Sequence, residues 1–234
     1  AVISLTTLQL VVEGTHSGIA PGQMLSAWMG LLTNSKVEMI GAVLQSVAVV
    51  LDQTDEHYVT ASHPHPTPFV TDQASTDAKM EVGHHTDHGL LPELGKREVV
   101  VHIKKRLLGA IGEAKRTNTI SYLMKLALQP IEATRFPAVN LLRAIAAQPS
   151  GWGLQMLFAH QGASIDSNFY EYVIERLTEY CKEGKDHKFA LIQAVAQNPS
   201  RGHLPDEVNQ KIDVMVQQGA YYLPPMVELQ TMEG

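Results

Sequence analysis

The chain has 234 residues, of which 44% are hydrophobic and 18% are charged, and its formal net charge is −6. These proportions are typical of a globular protein with a full core, and so mild a charge gives no overall field that would attract nucleic acid or an anionic membrane. The one cysteine excludes an internal disulfide framework and fits a reducing compartment, so we expect the protein in the cytoplasm and also in the nucleus. The first residue is not Met and an apolar run follows it at once, which favours a piece of a larger protein.

Residues 1–55 show the periodicity of helices. Residues 3–12 predict a first helix that ends at Gly14, and a second helix buries one face made of Met24, Leu25, Trp28, Leu31 and Leu32. A third helix is predicted from a cap at Asn34 or Ser35 to about Asp52. Its run of Val49, Val50 and Leu51 also fits a strand, but no partner run lies nearby.

Residues 56–95 differ in composition and predict a long loop or insertion. They are rich in Pro, Thr, Ser, Asp and His and contain few aliphatic side chains, so they cannot bury enough surface to offset the entropy of ordering. The candidate metal ligands of the loop are His63, His65, His84, His85, Asp87 and His88. His84 and His88 would bind zinc from one face of a helix, but the flanking Gly83 and Gly89 argue against a helix there. We therefore expect no metal and no cofactor, and keep a metal-binding protein or metal-dependent hydrolase as the alternative.

Residues 96–219 are again helical. Residues 96–114 predict a helix with an apolar face (Val99, Val100, Ile103, Leu107, Ala110, Ile111) and a basic face (Lys96, Arg97, Lys104, Lys105, Arg106). Seven basic residues against two acidic ones over 96–116 would suit nucleic acid, but no aromatic residues interleave to stack bases. We expect neither a nucleic-acid partner nor a membrane.

Six more helices are predicted before the tail. The first begins at Asn118 or Thr119, and the second ends at Pro149 and tolerates Pro137 only in its first turn. A short helix follows Trp152, and one from Phe169 to Leu177 is ended by Gly184. The sequence places Cys181 in a helix among charged residues, which gives a reactive thiol little support. Asp186 begins the next helix, and the last ends at Gly219. The resulting organisation is helical repeats over 1–55, the loop over 56–95, helical repeats over 96–219 and an extended tail over 220–234.

A repeat runs through these helices. Residues 141–150 (LLRAIAAQPS) recur as residues 191–200 (LIQAVAQNPS), shifted by fifty, and residues 43–48 (VLQSVA) are a weaker copy. Similarity at such a period is typical of stacked helix pairs, although any two Ala/Leu-rich core helices look alike over a few letters. The repeat predicts an all-α solenoid.

The solvent-facing stripe of the repeated helices is the candidate partner-binding surface. With Leu141, Leu142 and Ile145 inward, the opposite stripe carries five polar residues: Gln45, Asn140, Arg143, Gln193 and Gln197. If the helices stack in parallel, these residues line one groove that suits another protein. A merely solvated stripe fits the same residues, and no catalytic set stands out from the sequence.

The same helices resemble a known family. The carrying segments are QPI at 129–131, AVNLLRAIAAQP at 138–149, MLF at 156–158, EYVIER at 171–176, GKDHKF at 184–189 and GAYYLPP at 219–225. They resemble the C-terminal half of the 26S proteasome non-ATPase regulatory subunit 5 family, well over residues 118–225 and loosely over 1–55. Pro137, Ser150-Gly151 and the His-rich loop depart from the family pattern.

This resemblance implies a fold and a function. Family members are armadillo/HEAT-like solenoids without catalytic activity, and they act as assembly chaperones of the proteasome regulatory-particle base. They bind the C-terminal domain of a proteasomal ATPase subunit, and the resemblance implies the same partner here. Members are about twice as long, so we expect an N-terminal half to be missing. A generic helical-repeat scaffold for other proteins is the remaining alternative.

Overall fold

The computed structural model describes residues 23–34, 36–53, 91–162, 168–175 and 179–222. These residues form nine α-helices and a 3-10 turn at Arg201–His203, with no strand among them, so the all-α prediction is confirmed. The helices are α1 Gln23–Asn34, α2 Val37–Asp52, α3 Leu91–Lys115, α4 Thr119–Ala127, α5 Glu132–Ala146, α6 Trp152–Phe158, α7 Phe169–Ile174, α8 Lys182–Gln197 and α9 Asp206–Gln218. The helix predicted at 3–12, the cap at Ser35, most of the 56–95 loop and the end of the tail lie outside the described residues.

The chain forms two compact units, and the boundaries between them fall inside α1, at the end of α2 and inside α3. One unit comprises Ala1–Trp28 and Gln53–Ala110, and the other comprises Met29–Asp52 and Ile111–Gly234. The second unit contains α2 and all helices from α4 onward. It therefore contains all three copies of the repeat.

In the first unit, α3 corrects the face predicted for residues 96–114. Lys104 was expected on the basic solvent face, but it is only 1% exposed and its Nζ donates a hydrogen bond to the Gln53 carbonyl at 2.9 Å. Val99, expected in the core, is exposed instead. The helix also begins at Leu91, before the predicted residue 96. A backbone carbonyl thus offsets part of the desolvation of a lysine that polarity alone assigns to the surface.

In the second unit, α5 lies at the centre. It packs against α2 on one side and α8 on the other, and α4 and α6 also contact it. Leu141, Leu142 and Ile145 are fully buried, as the repeat predicts. The copies at Val43, Leu44 and Val47 on α2 and at Leu191, Ile192 and Val195 on α8 are buried too. Val49-Val50-Leu51 is helical, so the strand alternative is wrong.

The interior of α5 contains a proline, contrary to expectation. Pro137 is the sixth residue of the helix and not part of its first turn. It has no N–H to donate to the Ala133 carbonyl one turn earlier. Gly41 of α2 packs on that carbonyl: a Cβ at Gly41 would overlap the Ala133 oxygen and lie 3.4 Å from Pro137 Cγ. Gly41 of the neighbouring helix α2 therefore packs against α5 at the turn that contains Pro137.

The start of α8 also differs from the prediction. Gly184 does not end a helix, and Asp186 does not begin one, because α8 already begins at Lys182. Cys181 is the N-cap, outside the helix, and its Sγ accepts from the Gly184 N–H at 3.3 Å. The preceding helix α7 ends at Ile174, three residues before the predicted Leu177. Gly184 is instead required by close packing inside the first turn of α8, where a Cβ would overlap the Glu179 carboxylate.

Candidate partner-binding surface

The three repeated helices are joined at their C-terminal ends by buried amides. Gln148, 2% exposed, donates from Nε2 to the Leu51 carbonyl at the end of α2, at 2.9 Å. Asn198, 4% exposed, donates from Nδ2 to the carbonyls of Ala146 and Gln148 at the end of α5, at 2.7 and 2.9 Å. The last carbonyls of a helix have no partner within it, and each amide supplies a donor to them at the end of the preceding copy. Since these bonds join like ends, α2, α5 and α8 run parallel.

Parallel packing of α2 and α5 brings three of the predicted site residues together. Asn140 Nδ2 donates to Gln45 Oε1 across the two helices at 3.0 Å. Arg143 Nε donates to Asn140 Oδ1 at 2.9 Å, and Arg143 Nη2 forms an ion pair with Asp52 at the end of α2. We call these four residues the polar ladder. Gln193 and Gln197 lie on the next helix, α8, where the first is half-buried and the second exposed.

Arg143 is less accessible than its place on the stripe suggests. Its side chain is 26% exposed, and the carboxylate of Asp52 already engages one guanidinium nitrogen. A carboxylate from a partner would therefore have to compete with Asp52 for the Arg143 guanidinium group. Asp52 and Asn140 therefore hold the Arg143 guanidinium in place.

A second ion pair offers a comparison away from the ladder. Arg201 Nη2 contacts both carboxylate oxygens of Asp213 at 2.8 Å, and the Arg201 side chain is 24% exposed. This pair joins the 3-10 turn to α9. It has the same chemistry, and the two arginines are almost equally exposed, so it serves as a reference pair.

A cluster of buried charges lies where α5, α7 and α8 meet. Arg135 Nη1 lies 3.7 Å from Glu179 Oε2, and the Glu179 side chain is 1% exposed. Burial raises the pKa of Glu179, while Arg135 and Lys188 oppose that shift. Burial also raises the pKa of Tyr172, whose ring lies 4.6 Å from Lys188 Nζ. Within the described residues, neither Glu179 oxygen nor the Tyr172 hydroxyl has a hydrogen bond.

The histidines that carry the metal alternative, at 63, 65, 84, 85 and 88, lie outside the described residues. Across the part of the chain that the structure describes, no three His, Cys, Asp or Glu side chains are grouped so as to hold a metal ion. No helix in that part is both long and apolar enough to cross a bilayer.

Sequence reasoning missed the two amides that join the repeat. Gln148 and Asn198 precede the two prolines, Pro149 and Pro199, that end the repeated segments. A side-chain amide recurring just where the helix runs out of backbone donors is a usable signal for such a bond. Glu179 gave no comparable signal, because nothing in its local sequence distinguishes it from a solvated residue.

Sequence comparison shows which known proteins this chain is similar to. Residues 91–231 match the family described as proteasome non-ATPase 26S subunit. The human 26S proteasome non-ATPase regulatory subunit 5 is 30% identical over 107 residues, which is 45% of this chain and 19% of the human protein. The Bos taurus subunit of the same name is 29% identical over 99 residues, covering 42% of this chain and 18% of that protein. These matched stretches span about a fifth of the relatives' length.

No solved structure matches this chain. The family match, however, spans more than half of the chain and includes α3 through α9. It agrees with the resemblance seen in the sequence segments from 129 to 225. The chain belongs to the family of proteasome non-ATPase 26S subunits.

Proposed function

We propose that this protein is a non-enzymatic assembly chaperone of the proteasome regulatory-particle base. Its partner in this proposal is the C-terminal domain of a proteasomal ATPase subunit. The support is membership of a proteasome subunit family together with relatives named as non-ATPase regulatory subunits. Its proposed location is the cytoplasm and the nucleus, where proteasomal ATPase subunits would be met.

We propose an armadillo/HEAT-like solenoid as the fold that serves this role. The observation that carries it is the parallel row of α2, α5 and α8, each joined to the next by a buried amide. Parallel helices that carry copies of the same segment align equivalent residues along one surface, as solenoids do. Such a surface reads a partner through several dispersed contacts, with arginine a frequent anchor.

The polar ladder is the proposed point of contact. A partner carboxylate that reaches Arg143 replaces Asp52 and gains a charge-assisted, two-pronged hydrogen bond. Asp52 then becomes exposed to solvent. Arg143 is thus the group that attracts the partner, and Asp52 competes with the partner for it. Removing Arg143 should therefore lower the affinity for the partner, and removing Asp52 should raise it.

The test is calorimetric titration of the chain with isolated C-terminal domains of the proteasomal ATPase subunits. Arg143→Gln should weaken binding by about 10- to 100-fold, because a charged hydrogen-bond donor is lost. Asp52→Asn should tighten binding instead, because the competing charge is gone while the shape is kept. Arg201→Gln and Asp213→Asn are the matched controls and should leave the affinity unchanged.

Two results would count against the proposal at different levels. If none of the ATPase domains binds the wild-type chain, the assigned partner is wrong. If one binds but Arg143→Gln and Asp52→Asn leave its affinity as unchanged as the two controls do, the partner stands and the polar ladder is not its site. Melting curves of all four variants show whether a lost affinity merely follows unfolding.

A further inference from the structure

Apolar side chains flank the polar ladder on both of its helices. Successive residues of an α-helix are rotated by about 100°, so Val49 lies about 40° around α2 from Gln45, and Ala42 lies about 20° beyond Val49. Both are exposed, and Val49 is 47% exposed although valine is usually buried. On the other helix, Ala147 is exposed one turn after Arg143. We call the polar ladder together with these three apolar residues the docking face.

The charges on the docking face are distributed as in a protein interface. The exposed row of α2 runs from Glu38 to Asp52 at spacings of three and four residues, and only its two ends are charged. The last helix shows the contrast, because four of the eight exposed residues of α9 are charged: Asp206, Glu207, Lys211 and Asp213. Interface centres are depleted in charge and are surrounded by a polar rim. This pattern favours a binding surface over a merely solvated stripe.

Arg143 is the positive charge of the docking face. Its Nε donates to Asn140 and its Nη2 contacts Asp52, while its Nη1 donates to no group among the described residues. A guanidinium has five N–H donors and binds carboxylates in a defined geometry. A surface complementary to the docking face therefore carries an acidic group close to apolar side chains.

We propose that the docking face binds one amphipathic α-helix of the ATPase C-terminal domain. This helix presents aliphatic side chains to Val49 and Ala42 and one carboxylate to Arg143. The inference rests on the proposed function and specifies which kind of element the partner contributes. Ala42 and Val49 are seven residues apart, about 10 Å along α2, which two turns of a partner helix match. Residues three or four apart on that helix share a face, so an aliphatic and an acidic side chain can reach the docking face together.

Calorimetric titration of Val49→Asp with the ATPase domain that binds the wild-type chain tests the docking face. The variant replaces an apolar contact by a negative charge next to the partner carboxylate, so the affinity should fall by at least about tenfold. Val49→Ile keeps the apolar contact and should bind as the wild-type chain does. Val214 of α9 is 48% exposed, so Val214→Asp makes the same chemical change at equal exposure and should leave the affinity unchanged.

Photo-crosslinking identifies the partner element and does not depend on the folding of Val49→Asp. The photoreactive amino acid p-benzoylphenylalanine in place of Val49 should crosslink to a helical segment of the ATPase domain. That segment should carry Asp or Glu within one turn of the crosslinked residue. The same amino acid in place of Val214 should give no crosslink.

The outcomes separate this inference from the proposed function. If Arg143→Gln weakens binding but Val49→Asp binds as tightly as Val214→Asp, the inference is wrong and the proposed function stands. A crosslink from position 49 to a segment that is not helical, or that has no acidic residue within one turn, would also overturn the inference. If no ATPase domain binds the wild-type chain, both are wrong. Sedimentation of the chain alone tests a second copy as the occupant: a dimer that Val49→Asp dissociates would assign the docking face to self-association and overturn the inference.

Discussion

At the scale of single residues, the amides of Gln148 and Asn198 hold the repeated helices together through carbonyls at the ends of the neighbouring helices. Removing either amide removes buried hydrogen bonds to the neighbouring helix, which costs about 1–3 kcal/mol. We therefore expect Gln148→Ala and Asn198→Ala each to lower the free energy of unfolding by about that amount, measured by denaturant titration.

Gln197→Ala is the matched control for these two variants. Gln197 neighbours Asn198 but is exposed, so its loss should change stability by no more than about 0.5 kcal/mol. If Gln197→Ala and Asn198→Ala were equally mild, solvent would be replacing the amide, and the bonds to α5 would contribute nothing to stability.

Glu179 makes stability depend on pH in a direction set by its burial. Its carboxyl is faced by Arg135 of α5, Lys188 of α8 and Tyr172 of α7. Burial raises the pKa of Glu179 above its value of 4.5 in an unfolded chain, so the folded state binds the proton more tightly. Its contribution is present in full below that unfolded value and is lost as the pH rises through the raised pKa.

Glu179→Gln should remove this part of the pH dependence. The loss of melting temperature between pH 4.5 and 8 should be smaller in the variant than in the wild-type chain. The identical measurement on Glu171→Gln, an exposed residue of α7, controls for general effects of charge. A pH profile that is the same for Glu179→Gln and wild type would show that Glu179 titrates alike in the folded and unfolded states.

The sequence predicts which faces are buried where the apolar period is clean. Leu141, Leu142 and Ile145 follow this rule and are fully buried. It fails for Lys104 and Glu179, because the stabilising partners of a buried charge are distant in sequence and leave no local pattern. The polar ladder belongs to the same class: Gln45, Asn140 and Arg143 could be placed on one stripe, but their pairing and the role of Asp52 required the packed helices.

At the scale of elements, the contact between α2 and α5 depends on Gly41. A methyl group there would overlap the Ala133 backbone oxygen, which cannot move aside as a side chain can. Gly41→Ala should therefore destabilise the protein by about 1–3 kcal/mol, as overpacking does. Chemical denaturation monitored by circular dichroism measures the change.

Gly109→Ala tests the same chemical change where space is open. Gly109 lies on the exposed side of α3, and an added Cβ would meet nothing within 4 Å. Alanine should stabilise this helix by about 0.5–1 kcal/mol. Opposite signs for the two variants would separate steric contact from helix propensity, whereas a stabilising Gly41→Ala would show that α2 can shift away from α5.

Helix ends were predicted well where the cap is local and poorly where packing decides. Asn118 accepts from Ile120 N–H at 2.8 Å, so the expected cap of α4 is confirmed. Gly184 lies inside a helix, although glycine commonly ends one. Its actual reason, the approach of Glu179, joins two segments that sequence periodicity treats as unrelated.

At the scale of the whole molecule, the outer helices of the second unit should unfold locally more often than its central helix. α5 is covered by α2, α4, α6 and α8, whereas α9 packs on α7 and α8. Native-state hydrogen exchange should find the slowest amides in α5 and faster exchange in α9, because stacked helices open in neighbouring groups. Equal protection of the α5 and α9 amides against exchange would mean that the unit unfolds only as a whole.

The close fit of Gly41 on Ala133 also determines where this chain can accept insertions during evolution. Gly41 and Gln45 are one turn apart on α2, and both face α5, one through a backbone oxygen and the other through Asn140. One residue added between them would rotate the second contact by about 100° relative to the first. Sliding the helix by a full turn would instead bring a larger residue against the Ala133 oxygen. Homologous chains should therefore vary in length outside residues 41–45 and keep a constant length within them.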